Sequence, residues 1–160
     1  MTTISEYMLR GHEACDELFA RAENAAGSWP DAAKALAAFR SALLEHIAME
    51  EDVLFPAFEA ESGMGEGGPS AAMRAEHAQM RALLDQMRDA VERRDEKAYL
   101  GLADTLLVLM QQHNMKEESM MYPMIEAAAP DRSDALIAQC RAIELRGSGT
   151  CTCKSGLPAT

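Results

Sequence analysis

Apolar side chains recur at alternating steps of three and four along four segments of the chain, the spacing that draws one stripe down a helix. The first stripe is Met8, His12, Cys15, Phe19 and Ala22. The second is Leu36, Phe39, Leu43, His46, Glu50, Val53 and Ala57. The third runs Met73, His77, Met80, Leu84, Met87 and Val91, and the fourth Leu102, Leu106, Leu109, His113, Glu117, Met120 and Met124. Each stripe is otherwise apolar, yet the periodicity assigns four histidines and two glutamates to the core.

Local signals set the helix ends. Thr3 with Glu6 forms a capping-box pattern that opens a helix running to about Gly27. Ser28-Trp29-Pro30-Asp31 restarts the chain, with proline tolerated in a first turn, and the second helix continues to about Glu61. The glycine-rich stretch 62–69 is a loop; Ser70 is expected to cap a third helix ending near Arg94, and Asp95 to cap a fourth that stops before Pro130. Residues 131–146 read as a short fifth helix, and 147–160 as a flexible tail. One domain thus spans 1–146, built of helix pairs at about 1–61 and 70–129. Pro56 and Pro123 fall inside the second and fourth helices. Each removes a backbone donor, so it either kinks or interrupts its helix or ends it early. Both outcomes stay open.

The two helix pairs repeat one motif. His46, Glu50, Glu51 and Phe55-Pro56 recur as His113, Glu117, Glu118 and Tyr122-Pro123, and the remaining histidines, His12 and His77, precede their partners with 33 and 35 residues between. Histidine and glutamate four apart on a helix face the same way and can share an ion. Counted from the turns, the members of each pair differ in height by no more than roughly 3 Å at about 1.5 Å per residue. All four imidazoles therefore meet in one layer, with Glu50 and Glu117 one turn on. Glu51 and Glu118 rotate off the stripe and read as surface charge or as partners of the layer.

Composition narrows the function. Few aromatic or β-branched residues and abundant Ala, Leu and Met favour helices. A formal charge of −11 argues against nucleic acid or an anionic membrane as partner. No apolar run approaches a membrane span and Met1–Leu9 lacks the build of a signal peptide, so a cytoplasmic protein is expected. Four cysteines at 15, 140, 151 and 153 do not make a secreted disulfide framework.

Two buried carboxylates without a cation would each carry a desolvation cost of several kcal/mol. Metal ions remove that cost, and imidazole with carboxylate suits iron, manganese or zinc. Four imidazoles and two carboxylates exceed one ion's needs, which favours a dinuclear centre with bridging carboxylates. Two six-coordinate ions offer about twelve positions; these donors and a shared solvent bridge leave about one open on each.

This order of His, HxxxE, His, HxxxE resembles the hemerythrin-like family, the HHE cation-binding domain, over residues 1 to about 129. The resemblance implies an all-α, antiparallel up-down-up-down four-helix bundle holding a non-haem di-iron centre with oxo or hydroxo and carboxylate bridges. Its implied ligands are His12, His46, Glu50, His77, His113 and Glu117; iron is favoured over zinc and manganese. Oxygen-carrying invertebrate hemerythrins place a fifth histidine four residues after the third-helix one, where this chain has Arg81. The set is closer to bacterial proteins implicated in repairing iron–sulfur centres, although those carry an extra N-terminal domain and here His12 comes almost at once.

The expected function is a binding protein that senses, carries or scavenges O2, NO or iron. The alternative is a stress-response enzyme or repair factor reducing NO or peroxide, or donating iron, with a redox partner. The absence of a flavin, nicotinamide or haem motif tilts the reading toward binding. Cys151-Thr152-Cys153 either relays iron, binds a soft metal or forms a redox pair, or is incidental. The twelve methionines read as core filler rather than a copper site, with Met49, Met80 and Met120 beside the metals. Asp16 is a spare ligand at most. Glu13 and Glu76 read as solvated acids, and Tyr7 and Tyr122 as packing at helix ends or as donors to a bound oxygen species.

Overall fold

Thr3 opens the first helix as expected: its hydroxyl accepts from Glu6 N–H while the Glu6 carboxylate accepts from Thr3 N–H, starting α1 (Ile4–Asn24). A tight turn leads to α2 (Trp29–Met49), with Pro30 in the first turn. The computed structural model describes residues 1–148. The remaining long helices are α4 (Pro69–Glu92) and α5 (Glu96–Lys116), and Asp95 caps α5 by accepting from Ala98 N–H at 3.0 Å. A 3-10 turn at Pro130–Arg132 precedes α7 (Ser133–Ser148). Of the stretch 147–160 expected as a flexible tail, Gly147 and Ser148 close α7, and the rest, with Cys151 and Cys153, lies outside the described residues.

The two prolines interrupt their helices rather than end them. The interruption is a single π turn at Glu50–Leu54 and another at Glu117–Met121. The helix then resumes as α3 (Phe55–Ser62) and as α6 (Tyr122–Ala128), each with its proline in the first turn. There a missing N–H costs little. Phe55 N–H bonds to the Glu50 carbonyl and Tyr122 N–H to that of Glu117, the five-residue reach of a π turn.

Two sequence expectations are corrected. Gly68, not Ser70, is the N-cap of α4; Pro69 takes the first helical position, and Ser70 is buried with its hydroxyl unpartnered. Along α5 and the π turn after it the buried stripe is Ala103, Leu106, Met110, His113, Glu117 and Met121, whereas Met120 is 40 % exposed. Starting that stripe at Leu102 placed several residues one step off the core. The stripes assigned to the other long helices are all buried.

Consecutive helices pack side by side, α1 on α2 and α4 on α5, forming an all-helical bundle. One apolar cluster gathers Phe19, Phe39, Leu84, Met87, Tyr99 and Leu106; Tyr99 also donates to the Ala22 carbonyl at 2.6 Å. A second gathers Ile4, Met8, Phe55, Phe58, Met73 and Tyr122, and α7 adds Leu136, Ile137 and Cys140 to it. On every long helix the histidine falls between the clusters: between Met8 and Cys15, Leu43 and Met49, Met73 and Met80, and Met110 and Met121. A polar layer is therefore sealed above and below by packed side chains. No helix among the described residues is long and apolar enough to cross a membrane.

Candidate metal centre

All six residues singled out by periodicity meet in the polar layer. Glu50, His77 and Glu117 are fully buried, and His12, His46 and His113 nearly so. Their donor atoms form two overlapping groups, His12–His46–Glu50–Glu117 and Glu50–His77–His113–Glu117, each with its atoms within 4.8 Å of one another. Glu50 and Glu117 belong to both. Glu50 reaches His46 Nε2 at 3.3 Å with one oxygen and His77 Nε2 at 3.1 Å with the other. Glu117 likewise lies 3.1 Å from His12 Nε2 and 2.9 Å from His113 Nε2.

A second ring of carboxylates orients three of the imidazoles. His12 Nδ1 donates to Glu118 at 2.7 Å, His77 Nδ1 to Glu51 at 2.9 Å, and His113 Nδ1 to Glu76 at 2.7 Å. Arg81 grips both oxygens of Glu51, at 2.8 and 3.2 Å, and Lys116 bonds Glu76. With the ring protons held at Nδ1, the Nε2 atoms turn their lone pairs toward the centre. His46 is placed by backbone instead. Its ring lies so close over Gly11 that a Cβ there would stand 2.5 Å from Nδ1. The Phe55 ring stacks on His77 with centroids 5.9 Å apart.

Tyr122 completes the layer. Its hydroxyl donates to Glu50 Oε1 at 2.5 Å and lies 3.1 Å from Glu117 Oε2, 3.1 Å from His12 Nε2 and 3.3 Å from His46 Nε2. The π turn makes this possible, because the residue five positions after Glu117 comes round to the same face.

The electrostatics show what the layer lacks. Burial and the Glu117 charge both push Glu50 up, yet His46 and His77 outweigh them and hold it below the usual carboxylate range. Burial pushes Glu117 up as well, but His113, His12 and His77, close against its oxygens, hold it well below. Burial opposes a proton on His77, while Glu117 and Glu50 drive it up to about 10. Burial, then the charges of Glu50 and Glu117, keep the Tyr122 phenol well above its ordinary value. The carboxylates thus demand positive charge, and protons supply it badly. His77 Nε2 and His113 Nε2 face each other at 3.0 Å, where only one proton fits. Glu50 Oε2 and Glu117 Oε1 are buried without a hydrogen bond despite their near contacts to imidazole nitrogen. Lone pairs aimed at common points suit cations, and the donor set fits the expected group.

Within the layer is a small cavity of about 10 Å3, lined by all six donor residues and, on its apolar side, by Cys15, Leu43, Ile47, Met80 and Met110. That is room for one water-sized molecule. Of the three methionines expected there, Met80 lines the cavity, Met49 packs into the second apolar cluster, and Met120 is exposed. Asp16 is not in either donor group; it borders a surface cleft with Glu118 and Asn114. Glu76, expected as a solvated acid, instead bonds His113 across the helix pair. Tyr7 packs at a helix end, donating to Glu144 of α7 at 2.7 Å.

A helical bundle with imidazoles and carboxylates converging inside it defines a protein built to hold a cation. The chain matches the hemerythrin HHE cation-binding domain over residues 3–125 and belongs to that family. No curated protein and no solved structure matches it. Family and donor clusters together support the binding of a metal ion, with iron the family's metal.

Proposed function

We propose that this chain is a non-haem di-iron protein that binds a molecule the size of O2 or NO, for carriage, sensing or scavenging. His12 and His46 would hold one ion, His77 and His113 the other, with Glu50 and Glu117 shared between them. The observation that carries the reading is the pair of overlapping donor groups joined by two fully buried carboxylates. The four-residue turn 25–28 and the short link at 93–95 support an antiparallel up-down-up-down course for the long helices. The burial of Leu136, Ile137 and Cys140 supports counting α7 in the same domain.

Bound iron would supply a redox-active Lewis acid with a vacant position for a small ligand. The protein's own part is to shape and dry the site. Glu118, Glu51 and Glu76 hold the imidazoles in the tautomer that presents Nε2. The apolar side chains beside the donors suit a small, weakly polar ligand.

The test is metal analysis of anaerobically purified protein, followed by absorption spectra after air and then NO. About two irons per chain, with bands that respond to both gases, are expected. Steady consumption of NO or peroxide with added reductant would move the assignment to an enzyme. A colourless zinc-loaded protein, indifferent to both gases, would reduce the centre to a structural one. Glu50→Ala with Glu117→Ala should lose the paired site while keeping most helix content, and full iron retention would refute their assignment.

A further inference from the structure

The duplicated motif breaks its symmetry at one atom. Five residues after each shared carboxylate stands an aromatic ring: Phe55 in the first repeat, Tyr122 in the second. Each opens a helix directly after a π turn, and both are fully buried. Phe55 lays its ring against His77, with an interplanar angle of 9°. Tyr122 instead directs its oxygen into the other donor group, 2.5 to 3.3 Å from the donor atoms of Glu50, Glu117, His12 and His46. Donation accounts for one of these contacts, since a phenol has a single proton to give and otherwise accepts.

The whole pattern has a simpler source. Donors at right angles around an ion with bonds of about 2.1 Å lie about 3 Å from one another. The Tyr122 oxygen keeps that separation from three neighbours, at 3.1 to 3.3 Å, and stands closer, at 2.5 Å, to Glu50 Oε1. The neighbours do so along two of their own edges, His12 to Glu117 at 3.1 Å and His46 to Glu50 at 3.3 Å. An oxygen that stands beside four donors in this way is placed to join them in holding one ion.

The geometry points to Tyr122 as a seventh protein donor, its phenol oxygen binding the ion held by His12 and His46 and making the two metal positions inequivalent. This rests on the metal-binding reading above. The phenol gives up its proton to solvent on coordination, and no electron moves. Tyr122 is not among the residues around the cavity, which all six donors line together with Cys15, Met80 and Met110. An ion held by His77 and His113 would meet no phenol from the first repeat, where Phe55 stacks on His77.

The experiment is to load the full chain with ferrous iron, expose it to air, and record metal content, visible absorption and resonance Raman spectra. The expected result is a visible phenolate-to-iron charge-transfer band whose enhanced ring vibrations shift when the protein is grown on ring-deuterated tyrosine. Tyr122→Phe should bind the same iron and lose the band. Tyr7→Phe and Tyr99→Phe should keep it, and because the chain has three tyrosines these two variants identify Tyr122 even if its own replacement fails to fold. Two irons without the band would overturn the proposal while leaving the di-iron reading intact, as would a band that survives Tyr122→Phe. A chain that takes up no metal would overturn both.

Discussion

Arg81 stands where a fifth histidine would bring another nitrogen to the layer, and it turns outward to clamp Glu51 instead. The guanidinium holds the Glu51 carboxyl below its ordinary range against the opposing effect of burial, so the group stays charged. A charged Glu51 fixes the His77 proton at Nδ1. Removing such a partner typically weakens metal binding about 10- to 100-fold. Glu51→Ala should therefore lower iron affinity by that order, and Arg81→Ala by less, because Arg81 acts through Glu51. Competition with a calibrated chelator measures both. At Gly11 the argument is steric. Gly11→Ala puts a methyl group 2.5 Å from His46 Nδ1, so the ring must move and binding at the His12–His46 position should be lost first. The six central donors were legible from the sequence because each falls on an apolar stripe where a charged group needs a reason. Glu76 was not legible. It adjoins His77 in sequence but bonds His113 on the next helix, and that pairing appears only when α4 and α5 are docked. Tyr122 was named from the sequence only as helix-end packing or a donor to a bound oxygen species, since a period of 3.6 residues carries position i+5 away from the stripe.

The helices were readable from periodicity and caps, while the π turns were not. An uninterrupted α-helix and one with a π turn share the same stripe up to the insertion, and only a proline shortly beyond hinted at a break. That insertion lets Glu50 and Glu117 lie on the histidine face while Phe55 and Tyr122 return to it one turn later. The turn between α4 and α5 offers a test of local control. Arg94 has φ of 55°, a left-handed conformation that suits glycine, and the next residue, Asp95, caps α5. Arg94→Gly should be neutral or stabilise the protein by up to about 1 kcal/mol, as the relieved strain is set against the greater freedom of the unfolded chain. Asp95→Ala should destabilise it by about 1 kcal/mol through loss of the bond to Ala98 N–H. Both sites are remote from the metal layer, so urea unfolding should register the changes while iron content stays constant. Leu136→Ala in α7 belongs to the same test. Its side chain is buried in the second apolar cluster, so truncation should cost about 2–4 kcal/mol without altering metal stoichiometry.

At the scale of the molecule, the polar layer divides one core into two and ties stability to whatever charge neutralises Glu50 and Glu117. Without metal that charge is protonic. His12, His77 and His113 are raised in the fold, each against burial and chiefly by Glu117, so their contribution is complete below the ordinary value of 6.5 and fades as pH climbs through the folded values, about 10 for His77. Glu50, Glu51, Glu76 and Glu117 are lowered, so theirs is present above the ordinary 4.5 and lost as pH falls through the folded values. The two ranges overlap between about pH 4.5 and 6.5, where the metal-free protein should melt highest, declining toward pH 9. A cation reverses the trend, because it competes with protons for Nε2 and gains affinity as they leave. The melting temperature of iron-loaded protein should therefore exceed that of the metal-free form by a margin that widens from about pH 5 to about pH 9. The exposed acids behind the net charge of −11 act on both forms and largely cancel in that difference. Paired thermal melts by circular dichroism across this range measure it. A margin that narrows with rising pH would mean that iron is not held by these imidazoles.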